Sequence, residues 1–111
     1  MKIKQYDIWL ADLNPTIGTE SGKTRPVVII QTDLLNETHM STLICSITTN
    51  VKKEVELLRV HLKAGQLDKL SDILVDQIRA IDNKRFLKKL GQLTKEQKNK
   101  LKANLRIVLD I

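Results

Sequence analysis

Residues Gly18-Thr19-Glu20-Ser21-Gly22-Lys23-Thr24-Arg25-Pro26 run directly into Val27-Val28-Ile29-Ile30. The stretch invites comparison with a phosphate-cradling loop, G-x-x-x-x-G-K-[ST], in which a glycine-rich turn opens a helix and backbone amides hold the phosphates. The comparison fails on spacing, because only three residues separate Gly18 from Gly22 and position 17 is Ile. It also fails on context. Thr24 is followed by Arg25-Pro26 and a β-branched apolar run, which is the composition of a strand, and Pro26 disfavours helical backbone at Arg25. The reading that remains is a polar loop delivering an arginine to the start of a strand buried on both faces.

Working outward, Tyr6 to Ala11 alternates in strand fashion, with Tyr6, Ile8 and Leu10 on one face and Trp9 on the other. Asn14-Pro15 ends it and leaves residues 13–24 as a long loop. Thr42 to Thr48 reads as a third strand and residues 49–57 as a second long polar loop. Arg59 to Leu62 and Ile73 to Val75 are short strands on either side of a turn at Gly65, and Phe86 to Leu93 is a last strand interrupted at Gly91. Thr94 is placed as a helix N-cap, with Gln97 completing a capping box. Leu101, Leu105, Val108 and Leu109 follow at the spacing of a buried helical stripe, beside Lys95, Lys98, Lys102 and Arg106. Many short strands and one terminal helix predict a mainly β fold with a C-terminal helix, built as a small, strongly bent barrel-like sheet. Residues 1–111 read as a single domain.

The formal charge of +6 is unevenly placed. Residues 1–81 carry ten basic and ten acidic side chains, whereas residues 82–111 carry nine basic and three acidic. The excess therefore sits at the C-terminal end, away from the Arg25 loop, where a solvated helix face accounts for it as well as nucleic acid does. Cys45 is the only cysteine, so no intramolecular disulfide is available and a reducing compartment is expected. The first residues have no apolar stretch of signal-peptide type, and no apolar run approaches membrane-spanning length. A cytoplasmic location is expected.

Candidate chemistry is sparse. His39 falls in a turn and His61 in an alternating strand, neither with a local partner to mark it. No HExxH, paired cysteines or compact carboxylate cluster points to a metal. Cys45 sits mid-strand among apolar neighbours, as a small core residue does. Arg25 offers a planar fork of donors suited to phosphate oxygens, or to an ion pair with a carboxylate such as Glu20. Thr48 ends a strand, where its hydroxyl either donates to a ligand at a groove mouth or caps local backbone.

The segments Asp7-Ile8-Trp9-Leu10-Ala11-Asp12-Leu13-Asn14-Pro15-Thr16, Gly18-x-Glu20-x-Gly22-Lys23-Thr24-Arg25-Pro26-Val27-Val28-Ile29-Ile30-Gln31, Ile47-Thr48-Thr49 and Asp76-Gln77-Ile78-Arg79-Ala80-Ile81-Asp82 closely resemble the MazF/PemK/Kid family of toxins, in the same order and over essentially the whole chain. The resemblance implies an SH3-like barrel of the CcdB/PemK/MazF type that forms a homodimer. It implies a ribosome-independent, metal-independent endoribonuclease, an mRNA interferase. Such an enzyme cuts single-stranded RNA at short motifs to leave 2′,3′-cyclic phosphate and 5′-hydroxyl ends. A cognate antitoxin neutralises it, and no cofactor is expected. Arg25 and Thr48 match the family's catalytic arginine and threonine. Thr19, Glu20, Ser21, Lys23, Thr49, Asp76 and Gln77 are then the RNA contacts, with Gln77 reading a base edge. Kid-type relatives carry histidine where this chain has Thr19 and arginine where it has Leu74, while the acidic position is kept as Asp76.

Gyrase-poisoning toxins of the CcdB type share the fold without the nuclease activity, so a non-enzymatic protein-binding toxin is the alternative. Those end in Trp-Gly-Ile, whereas this chain ends Leu109-Asp110-Ile111, and the Arg25-Pro26 loop favours the nuclease. A DNA-binding autoregulator is a third reading.

Overall fold

A computed structural model describes residues 2–14 and 23–111. The elements in order are β1 (Asp7–Asp12), β2 (Thr24–Ile29), α1 (Asp33–Asn36), β3 (Ser41–Thr48), β4 (Arg59–His61), β5 (Asp72–Asp82), a 3-10 turn (Asn83–Arg85), β6 (Phe86–Gln92) and α2 (Lys95–Leu109). The strands form one antiparallel sheet in the order β4-β5-β3-β2-β1-β6. With α2 packed beside β4 and β5, this is the mainly β architecture with a C-terminal helix expected from the sequence.

The two-sided burial read from Val27-Val28-Ile29 holds, since all three are fully buried. Successive residues of a strand point to opposite faces, so the run feeds two separate cores. Val28 joins Ile8, Cys45, Ile47, Val60, Ile73, Val75, Leu93 and Leu101 on one side. Val27 and Ile29 join Trp9, Ala11, Leu13, Ile44, Ile81 and Phe86 on the other. Trp9 meets Phe86 edge to face at 5.8 Å, and its indole Nε1 donates to Asp7 Oδ2 at 3.3 Å. Trp9 is thus a core residue.

Three boundaries differ from the sequence reading. The strand expected over Ile73 to Val75 runs from Asp72 to Asp82, because its long pairing with β3 outweighs the exposed, polar character of Asp76 and Gln77. It is not regular: Cys45 pairs with Ile78 and Ile47 with Ile73, so Leu74 to Gln77 bulge opposite Ser46. The break expected at Gly91 is instead a register shift in a continuous strand, with Ile8 opposite Gly91 and Trp9 opposite Lys89. A short helix over Asp33–Asn36, capped by Thr32, joins the expected terminal helix.

The terminal helix begins as its residues demand. Thr94 Oγ1 accepts from the Gln97 amide at 3.2 Å and Gln97 Oε1 accepts from the Thr94 amide at 3.0 Å, closing the capping box. Leu101 is fully buried, with Leu105 and Val108 packed beside it. Leu109, expected in the same stripe, is 51% exposed because the helix ends at that residue and Asp110 turns into the left-handed region. Among the described residues no helix is long and apolar enough to cross a membrane.

Candidate active site

Arg25 is the second residue of β2 and pairs with Ala11 of β1. The β2–β3 ladder is Val27↔Ser46, Val28↔Cys45 and Ile29↔Ile44. Continued two residues past its last pair, this register sets Arg25 opposite Thr48, and the period of two places both on the face that carries Val27 and Ser46. Pro26 lies just beyond the last residue paired with β3, where its missing N–H costs the sheet least. Pro26 thus marks where β2 and β3 stop pairing, while Arg25 stays paired with Ala11 of β1 and Thr48 with Asp72 of β5.

Thr48 Oγ1 accepts the Asn50 amide at 3.1 Å, so its oxygen serves the local turn while its O–H remains able to donate. Pro26 and Thr49, each one residue from the pair and therefore directed to the other face, line an open cleft of about 470 Å³ with Leu10, Gln66, Asp68, Lys69 and Lys88.

The 13–24 loop enters and leaves the sheet through a clasp. The Leu13 amide donates to the Lys23 carbonyl at 2.9 Å and the Lys23 amide to Asn14 Oδ1 at 2.8 Å. Lys23 adopts φ 63°, and its side chain is left exposed. Arg85 donates to the Asp12 carbonyl at 3.1 Å and also to the Asn14 carbonyl. Thr19, Glu20 and Ser21 lie outside the described residues.

Asp76 and Gln77 are exposed within the β5 bulge, opposite the residue two before Thr48. A bulge re-aims side chains that a regular ladder would hold in line. The five described residues singled out around Arg25 thus divide between the clasp (Lys23), the β3 end (Thr48, Thr49) and the bulge (Asp76, Gln77).

The histidines are engaged elsewhere. His39 Nδ1 donates to the Ser41 carbonyl at 2.8 Å. His61 Nδ1 meets Asp72 Oδ1 at 2.7 Å and its Nε2 meets Glu56 Oε2 at 2.9 Å. Both partners are carboxylates, an arrangement that favours the doubly protonated ring, in which both nitrogens donate. Its pKa is raised, first by the hydrogen bond to Asp72. Burial by itself would raise the Asp72 carboxyl, but donation from the Lys52 amide, His61 and Arg59 outweighs it and holds the carboxyl below its ordinary value. Cys45 is buried, which with the nearby Asp76 charge pushes its thiol up to about 12, so it has no thiolate character at neutral pH. Among the described residues no group of three His, Cys, Asp or Glu side chains is arranged to hold a metal ion.

Asp72, Arg59 and Glu56 were not legible as site residues, because their pairings span 13 and 5 positions and join β5, β4 and a loop. Arg59-x-His61 on one strand face was the available signal. Leu58, just before β4, takes φ 70°, a conformation costing an L residue about 1–2 kcal/mol. Its carbonyl accepts from Val75 at 3.0 Å, which holds it there.

The fold and this arrangement define a small barrel-like scaffold with an arginine and a threonine at two adjacent strand ends. A family model described as the PemK-like, MazF-like toxin of type II toxin-antitoxin systems matches residues 4–109, and the chain belongs to that family. It is 34% identical to Endoribonuclease EndoA of Bacillus subtilis (strain 168) over 111 residues, covering 98% of this chain and 96% of that relative. In fold it is similar to MazF from Deinococcus radiodurans, with TM-score 0.86, 20% identity, and coverage of 100% of this chain and 99% of that one. It is also similar to an endoribonuclease from a Mycobacterial species solved in complex with its cognate antitoxin, with TM-score 0.80, 16% identity, and coverage of 98% and 96%.

Proposed function

We propose that this chain, acting as one domain over residues 1–111, is an endoribonuclease toxin that cuts single-stranded RNA at a short motif. The observation that carries the reading is the register that sets Arg25 opposite Thr48, on one face, where the β2–β3 pairing ends. In the reaction the ribose 2′-OH attacks the adjacent phosphorus and the 5′-oxygen departs, giving a 2′,3′-cyclic phosphate and a 5′-hydroxyl. Charge accumulates on the non-bridging oxygens in the transition state, where a fixed donor is worth far more than in water. Arg25 supplies that donor, since its guanidinium keeps its charge at any physiological pH. The Thr48 O–H adds a second donor to the same phosphate.

Splayed bases are read by polar groups of the 13–24 and 49–57 segments and by Gln77. The reaction runs without metal or cofactor, in the cytoplasm, in a homodimer that a cognate antitoxin silences. The similarity to an endoribonuclease bound to its antitoxin supports the last point. Replacing Arg25 by Ala tests the assignment: folded protein without cleavage is expected, and substantial residual cleavage overturns the role of Arg25.

A further inference from the structure

We infer that Asp72 is a positioning residue for the second RNA-reading segment, residues 49–57; the inference rests on the endoribonuclease reading above. Asp72 is fully buried, and its Cα partner across the β3–β5 ladder is Thr48. A buried carboxylate is costly unless donors surround it. Its donors come from the segment itself and from β4, the strand that closes it. Oδ2 accepts the Lys52 amide at 3.0 Å and Arg59 Nη1 at 3.0 Å, while Oδ1 accepts His61 Nδ1 at 2.7 Å.

Each of these donors reaches the segment. Lys52 belongs to it. Arg59 Nη1 also donates to the Asn50 carbonyl at 2.7 Å. His61 passes the contact to Glu56, which Lys100 of α2 holds from the far side at 2.9 Å. Asn104 of α2 completes the hold by donating to the Glu56 and Arg59 carbonyls. One carboxylate thus fastens the segment near its beginning, at its middle and near its end.

The fastening acts mainly on backbone. Asn50 is held by its carbonyl and Lys52 by its amide, whereas the side chains of Thr49, Asn50, Lys52, Lys53 and Glu54 are exposed. A segment fixed by its main chain keeps its polar side chains for a partner. Base-edge readout by hydrogen bonds needs that combination, because a wandering backbone averages out the discrimination. Val60 and Ile73 alternate with Arg59, His61 and Asp72 and join the core from the opposite face, so the Asp72 cluster is separate from that packing.

The test compares wild type with Asp72→Asn and Arg59→Lys in three readouts: hydrogen exchange of residues 50–56, cleavage kinetics on a defined RNA, and the map of cut sites. Asp72→Asn keeps the shape and removes the charge. It is expected to speed exchange in the segment, to raise KM about ten- to hundred-fold with a much smaller change in kcat, and to broaden the motif. Arg59→Lys keeps the charge beside Asp72 but loses the fork that also reaches Asn50, and a smaller shift in the same direction is expected. If Asp72→Asn does not fold, Arg59→Lys decides. A folded variant with unchanged exchange, KM and cut sites overturns the inference, even where its melting temperature falls. If wild type cleaves no RNA, the functional reading fails, and exchange alone still decides whether Asp72 fastens the segment.

Discussion

Thr48 and Asp72 face one another across the β3–β5 ladder, one at the open end of a strand and the other fully buried. The proposed phosphate-binding hydroxyl is therefore backed directly by a charged, hydrogen-bonded cluster that reaches to α2. That arrangement couples the site to pH and to the rigidity of the 49–57 segment.

The coupling to pH has a definite sign. His61 has a raised pKa in the folded state, with Asp72 and Glu56 facing it and Lys63, Glu96 and Lys100 lining the same cavity. A raised folded pKa gives stability that is fully present below the unfolded value near pH 6.5 and is lost as pH rises through the folded one. Asp72 acts oppositely: its depressed pKa gives stability present above about pH 4 and lost as pH falls below that. Urea unfolding from about pH 6 to about pH 9 is expected to show declining stability in wild type and a flatter profile in His61→Gln. An unchanged slope in His61→Gln removes the imidazolium assignment.

At the reacting centre, Arg25→Ala is expected to lower kcat/KM by about 10²–10³-fold or more, as loss of a transition-state donor does elsewhere. Unfolding of the variant should match wild type. Arg25→Lys keeps charge without the planar fork and is expected to recover only part of the loss.

Thr48→Ala removes both the donor and the acceptor for the Asn50 amide. A loss of about ten- to hundred-fold in cleavage is expected, with Thr48→Ser restoring most of it. If Ser fails to rescue, the methyl group and not the hydroxyl is what matters at this position.

Cys45 should be inert. With its thiol near 12 and its side chain buried, native protein is expected to resist alkylation that unfolded protein accepts at once. Cys45→Ala should cleave RNA normally. Rapid labelling of native protein would show that the sheet opens around β3.

Some of this structure was readable in the chain because it is written in neighbouring residues. The Val27-Val28-Ile29 run declares two-sided burial, and Thr94 with Gln97 declares a helix start, since each signal acts within a few positions. Arg25-Pro26 likewise marks both a loop exit and the end of pairing with β3. The full length of β5 was hidden because Asp76, Gln77 and Ala80 look unlike a strand: Ala80 is held by pairing with Leu43 of β3, and Asp76 and Gln77 lie in a bulge between paired stretches. The Asp72 cluster was hidden for a related reason: Lys52, Glu56, Arg59, His61 and Lys100 become neighbours only after the sheet and α2 have formed. Resemblance to toxin relatives supplied the proposed roles of Arg25 and Thr48, and the β2–β3 register sets the two residues opposite one another.

The most direct measurement is incubation of purified protein with a long defined RNA in EDTA, followed by primer-extension mapping and by tests for cyclic phosphate at the new ends. Discrete cuts at a recurring short motif, each leaving a 2′,3′-cyclic phosphate and a 5′-hydroxyl, are expected, and they should vanish in Arg25→Ala. Intact RNA after incubation with folded wild-type protein would mean that Arg25 and Thr48 do not form a cleavage site.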